Sequence, residues 1–232
     1  MKKILVLIVL SFNSFNCLAN VIISNTRVIY PEENKEATVQ LINRSSSPAL
    51  IQAWLDEGNP DSTPENAKVP FLLTPPVVKV EGGNGQQLRI RYIGSFNTIS
   101  KDKESVYYLN VLDIPPKQEN LGNKNIIQIA IKSRIKMFYR PAGLKVQPSE
   151  IHKYLKFKAN GNQIIITNDA PYYASIAMIF SAGNAITESA EMINPKSKSS
   201  ISTTKPVLPG QRIEILLIDD YGTYQKYSFK AE

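Results

Sequence analysis

Along most of the chain, hydrophobic and polar residues alternate in short runs separated by turn formers. This is the period of β-strands rather than of helices. Thr38-Val39-Gln40-Leu41, Gln87-Leu88-Arg89-Ile90-Arg91-Tyr92 and the segment from Tyr154 to Ala159 are such runs. Between them stand Gly82-Gly83-Asn84-Gly85, Pro75-Pro76 and Pro115-Pro116, which interrupt regular structure and mark turns. Asn160-Gly161 joins two alternating segments and predicts a tight hairpin, because both residues tolerate positive φ. No stretch sustains a helical period, so the pattern predicts an all-β protein built of sandwiches.

One run is longer than the rest. From Ile126 to Met137 the odd positions are Ile127, Ile129, Ile131, Ser133, Ile135 and Met137, and the even positions include Gln128, Lys132, Arg134 and Lys136. Alternation over this distance predicts a strand of about 40 Å at the usual rise per residue, about twice the common length. Such a strand runs along an edge or projects beyond its own sandwich. Its apolar side is then partly uncovered, and uncovered apolar edges are normally avoided. Something else is expected to cover it.

The run ends at Arg140-Pro141-Ala142-Gly143, with Pro148 close behind. A boundary there divides the chain into residues 20–143 and 144–232, each the length of one immunoglobulin-like sandwich, roughly 100 residues. Before them, Met1-Lys2-Lys3 supplies a basic start, Ile4 to Leu10 an apolar run, and Cys17-Leu18-Ala19 a small-residue cleavage site. Residues 1–19 therefore read as a secretory signal, cleaved after Ala19. The apolar run is too short to span a bilayer, and Phe15 and Asn16 suit a lipid anchor on Cys17 poorly.

Export changes how the composition is read. Cys17 is the only cysteine, so the mature chain has neither disulfides nor thiol chemistry and relies on core burial. Hydrophobic residues at 43% and charged residues at 20% are the balance of a globular protein, which argues against disorder. Removing Lys2 and Lys3 from the net charge of +7 leaves +5. The cations are scattered among strands rather than gathered in a tract, so nucleic acid is not an expected partner.

Other chemistry fails on inspection. His152 is the only histidine, which removes His-based metal clusters; beside the boundary, it reads as a surface residue. Gly82, Gly83 and Gly85 lie between strands, not between a strand and a helix, which disfavours a phosphate cradle. Asp219-Asp220 has no other catalytic context. Asn43-Arg44-Ser45 has the form of a glycosylation acceptor but reads as a turn. No cofactor, metal or enzymatic activity is expected.

Several short motifs occur together in a telling order. They are Asn25-Thr26-Arg27-Val28, Gln52-Ala53-Trp54, Thr74-Pro75-Pro76, Glu104-Ser105, Tyr107-Tyr108-Leu109-Asn110, Ile114-Pro115-Pro116, the ten residues from Lys132 to Pro141, Pro171-Tyr172-Tyr173 and Asp219-Asp220-Tyr221-Gly222. In order and spacing, across the whole mature chain, they resemble the PapD-type periplasmic chaperones of pilus assembly. The resemblance implies two immunoglobulin-like β-sandwiches set at an angle around a cleft. It also implies a binder of pilus subunits that delivers them to an outer-membrane usher.

The resemblance assigns roles to individual residues. Read alone, Arg27 and Lys136 are ordinary strand cations; the family match makes them the anchor of a subunit's C-terminal carboxylate. Two fixed cations suit that ligand through charge-assisted hydrogen bonds. Ile127, Ile129 and Ile131 read alone as a core face. By resemblance they complete a partner's sandwich, a form of β-augmentation, with Ile135 and Met137 left to the chain's own core. The strand would be open to self-association when no subunit is bound. Glu104, Arg140 and Asp220 correspond to an inter-domain salt-bridge network that sets the cleft angle, against the alternative of unrelated surface charges. The loop from Lys117 to Asn125 is short, as in the branch serving rod-like pili. The chain departs from relatives that carry a disulfide in the second domain.

Two rival readings differ in class. A secreted pilin-like subunit or adhesin would carry an N-terminal donor extension and often a disulfide, and this chain shows neither. An exported glycan-processing enzyme would need two carboxylates on facing walls of a cleft.

Overall fold

The computed structural model describes residues 21–94, 99–116 and 128–232. The expected signal segment, the loop from Lys117 to Asn125 and Ile127 lie outside the described residues. The first unit contains β1 (Val21–Ile23), β2 (Arg27–Pro31), β3 (Ala37–Asn43), β4 (Ala49–Asp56), β5 (Phe71–Thr74), β6 (Val77–Val80), β7 (Gly85–Tyr92), β8 (Ser105–Ile114) and β9 (Ile131–Arg140). They form two facing sheets, ordered β1-β3-β7-β5 and β2-β9-β8-β4-β6. Alternation decides what lies between them. Val39 and Leu41 of β3, Leu88 and Ile90 of β7, Leu109 and Val111 of β8, and Met137 and Tyr139 of β9 share one buried core. Each such side chain contributes about 1.5–3 kcal/mol on burial.

The second unit contains β10 (Leu155–Asn168), β11 (Ala174–Ser181), β12 (Asn184–Ala185), β13 (Glu191–Ile193), β14 (Ser197–Val207), β15 (Arg212–Ile218) and β16 (Tyr224–Lys230). Strands β12-β11-β15-β16 form one sheet, with β13 also on β11, and β10 pairs with β14. Phe157, Ile164, Ile166, Ile176, Ile179, Ile213 and Ile215 lie in its separate core. The chain is thus all-β, two sandwiches each around its own apolar centre.

β10 consists of two extended arms folded back on each other. The Asp169 N–H donates to the Tyr154 carbonyl at 3.0 Å, and Lys156 pairs with Asp169 at 2.7 Å. The ends of a straight run this long would stand about 45 Å apart. The reversal falls near Asn160-Gly161, where Gly161 has φ +62° while Asn160 keeps a negative φ, so only the glycine uses the freedom the hairpin reading gave to both residues. Asn43 is wholly buried, and its side-chain amide donates to the Ser47 and Val80 carbonyls. This is a structural turn and no acceptor for a glycan.

The long strand differs from its expected span. Regular pairing in β9 begins at Ile131, opposite Asp113 of β8, and continues to Arg140, where the alternating run was read to end. Gln128 to Ala130 precede it outside any strand. The physical reason is the neighbour: β8 ends at Ile114, so residues before Ile131 have no ladder partner among the described residues. His152 lies half-buried at the surface, with its ring stacked on Tyr227 at 4.1 Å.

Several contacts join the two units. The Glu104 N–H donates to the Pro171 carbonyl at 2.8 Å, and Lys196 pairs with Asp102 at 2.6 Å. Gly222 (φ +82°) sits so close to Thr26 that a Cβ there would meet its Oγ1 at 2.2 Å. Only glycine satisfies both the turn and that approach.

Candidate functional site

The site is organised by the unequal lengths of three adjacent strands. β8 pairs with β9 from Ile131 to Tyr139. On the opposite edge, β2 runs parallel to β9 only from Lys136 to Arg140. From Gln128 to Ile135 that edge therefore has no partner among the described residues. It presents backbone N–H and C=O groups, and such groups seek a strand to pair with. The open stretch ends where β2 begins, at Arg27.

Arg27 and Lys136 are register partners in the parallel pair, so their side chains leave the sheet on the same face. The neighbours on β2 show which face: Val28 and Tyr30 enter the core, and Arg27 points the other way. One guanidinium nitrogen of Arg27 donates to the Ile218 carbonyl at 3.3 Å. Its Nε is buried without a partner. The Lys136 ammonium has no hydrogen-bond or ion-pair partner among the described residues. Burial, and then the neighbouring Arg27 charge, hold the Lys136 ammonium below the usual lysine range. Burial likewise lowers the Arg27 guanidinium, opposed by Asp220, Asp219 and Glu104. Two half-buried, under-partnered cations side by side favour an anion with two oxygens.

The two faces of β9 carry different chemistry. On the odd face, Met137 is fully buried and Ile135 packs partly against the core. Farther toward the start of the strand, Ile131 is 53% exposed and Ile129 is 70% exposed. A row of apolar side chains therefore runs out of the sandwich into open space along the unpartnered edge.

On the even face, Phe138 lies 5.6 Å from the Tyr173 ring of the second unit, and Arg140 crosses to the same unit. Arg140 bonds Glu104 at 2.9 Å through Nε. It also bonds Asp220 twice, at 2.7 and 2.9 Å. The Tyr173 N–H occupies the other oxygen of Glu104. Glu104, Arg140 and Asp220 are thus brought together across the domain junction. A cleft of ≈ 300 Å³ opens beside them, with Arg27, Phe138, Tyr173 and Asp219 in its walls.

Sequence reasoning missed a second charged cluster on this face. Asp56, 2% exposed, receives Arg134 at 2.6 and 3.2 Å. It also receives Asn110 at 2.6 Å, Ser62 at 3.1 Å and the Gly58 N–H at 2.6 Å. Burial alone would raise its carboxyl; these donors and the Arg134 charge outweigh that and hold it below the usual range. Arg134 also lies over the Tyr108 ring at 3.7 Å. The one sequence signal was the alternation of Lys132, Arg134 and Lys136, which does not say which cation is neutralised. No group of side chains among the described residues could hold a metal ion.

Comparison with known proteins gives a consistent picture. Residues 20–145 match the family described as "Pili and flagellar-assembly chaperone, PapD N-terminal domain". Residues 150–229 match "Pili assembly chaperone PapD, C-terminal domain". The chaperone protein MrkB of Klebsiella pneumoniae is 40% identical over 225 residues, covering 96% of each chain. The solved YadV chaperone is 33% identical with a TM-score of 0.76, covering 91% of this chain and 99% of that one. A Salmonella enterica structure holds the SafA pilin in complex with the SafB chaperone. It is 26% identical with a TM-score of 0.79, covering 92% of this chain and 97% of that one.

Proposed function

This chain belongs to the PapD family of pilus-assembly chaperones, and on that premise we propose how it captures a pilus subunit. The family is one of assembly chaperones rather than enzymes, and the relatives do not favour a structural subunit or adhesin. A subunit's C-terminal strand adds to the open edge of β9, parallel to it and in line with β2. Its terminal carboxylate rests on Arg27 and Lys136. Ile129 and Ile131, continued by Ile127 outside the described residues, fill the groove that an incomplete subunit leaves open. Glu104, Arg140 and Asp220 hold the angle between the sandwiches. Capture takes place in the periplasm after signal cleavage and prevents premature assembly, and an outer-membrane usher receives the complex. In the free protein, the same edge is available for pairing with a second copy.

The observation that carries this reading is the unpartnered edge from Gln128 to Ile135, apolar on one face and closed at its far end by two unsatisfied cations. The structure of the SafB chaperone with its pilin supports a subunit as the occupant. The test is periplasmic co-expression with candidate subunits from neighbouring reading frames, followed by co-purification. Arg27→Ala and Lys136→Ala are each expected to abolish capture while the chaperone remains folded. Normal recovery of subunits by both variants would refute the anchor.

A further inference from the structure

Up to the point where β2 begins, the even face of β9 offers three cations, Lys132, Arg134 and Lys136, at steps of about 6.6 Å. A strand pairing with this edge could therefore end at more than one of them. Slippage by one residue is forbidden, because it turns every groove-filling side chain to the wrong face. Slippage by two is not, since it keeps each side chain on its own face. The anchor must then help to discriminate. Sliding deeper is blocked by β2, which occupies the edge from Lys136 onward. Sliding back by two would bring the terminal carboxylate to Arg134.

Arg134 is not available. Register across the sheet aligns Asp56 with Tyr108 and Tyr108 with Lys136. Yet the Asp56 carboxylate commits itself diagonally to Arg134 through both guanidinium contacts. Ser62, Asn110 and the Gly58 N–H fix the carboxylate in that orientation. The Trp54 indole N–H in turn donates to Ser62 at 3.1 Å. Lys132 is engaged elsewhere, on the Pro60 carbonyl at 2.6 Å. Of the three cations, Lys136 alone is left without a partner.

We propose that Asp56 is a register-determining residue: by neutralising Arg134 it leaves one anion anchor on the β9 edge and prevents capture two residues out of register. The inference rests on the proposed capture of a subunit strand, and it makes Asp56 a positioning residue that never touches the ligand.

The test is a cross-linking measurement on the mature chain, which has no cysteine once Cys17 is removed. Ile129→Cys is introduced in every sample. The probes are two synthetic peptides of alternating valine and threonine with free C-terminal carboxylates. In one, a cysteine faces position 129 when the terminus sits at Lys136; in the other, it stands two places nearer the terminus. The first peptide should dominate disulfide capture with Asp56 intact. Asp56→Asn should raise the slipped product by about tenfold or more, the scale set by charge-assisted bonds to the freed guanidinium. Asp56→Asn combined with Arg134→Gln should return it to the original level.

An unchanged product ratio in folded Asp56→Asn overturns the proposal. So does slipped capture that persists in the double variant. Lys136→Gln, which leaves the Asp56 cluster untouched, gives a check independent of the stability of Asp56→Asn. It should lose capture without gaining the slipped product, and a shift to the slipped peptide would show that Arg134 was never silenced. Failure of the starting protein to capture either peptide would instead refute the reading of the edge as a capture site.

Discussion

Replacing Ile129 and Ile131 together with serine should separate binding from folding. Complete burial of an isoleucine side chain is worth about 1.5–3 kcal/mol. The fraction still in water in the free chain, 70% for Ile129 and 53% for Ile131, sets what capture can gain. Scaling by those fractions gives about 2–4 kcal/mol for the pair. The entropy of association is common to both proteins and drops out of the difference. The expected loss of affinity is therefore about thirtyfold to several hundredfold. The buried remainder, the larger part of it at Ile131, should reduce the stability of the free chain by about 1–2 kcal/mol. Competition binding against a co-purified subunit measures the first quantity, and urea unfolding of the free protein measures the second. A change in affinity below threefold would refute the reasoning. So would a loss of fold stability as large as the loss of binding, because both results would place these side chains in the chaperone's own core.

Three further outcomes follow from the geometry. Arg140→Ala leaves Glu104, only 3% exposed, with an unpaired buried charge. It should lower stability by about 3 kcal/mol, whereas Lys196→Ala removes an exposed pair and should change it by less than about 0.5 kcal/mol; calorimetry of both variants checks the contrast. Gly222→Ala combines positive φ with the Thr26 clash and should lower the unfolding temperature by several degrees, for a loss of about 1–2 kcal/mol. Because burial, and then the Arg27 charge, hold the Lys136 ammonium below the usual lysine range, subunit capture should weaken as pH rises through a value below that range. In Arg27→Gln, the Lys136 titration followed by NMR should move upward, and an unchanged titration would remove the electrostatic coupling.

The alternation of β9 was legible because a strand has two faces, and its residues declare which one is apolar. Burial falling from Met137 to Ile129 follows from the same period, since only the C-terminal part of the row has a sandwich beneath it. The reversal near Asn160-Gly161 was legible because the turn needs a residue at positive φ, which Gly161 supplies. Arg27 and Lys136 were not legible from pattern: their adjacency is created by a parallel pairing between distant segments, and only the family resemblance pointed to it. Asp56 and Arg134 were missed for the same reason. Three strands must be laid side by side before that carboxylate meets that guanidinium. Where pairing within the chain begins on β9 was not legible either, because it depends on the neighbouring strand β8 and not on the alternation of β9 itself.

In the proposed capture, the abrupt start of β2 against the flank of β9 turns that edge into a measuring device. A guest chain is stopped at one fixed end, so the device counts residues back from the terminus instead of recognising a particular sequence. Proteins that differ at nearly every position can be accepted alike if their tails share the same spacing and a free terminus. A tail lengthened by even a short tag would no longer fit the gauge.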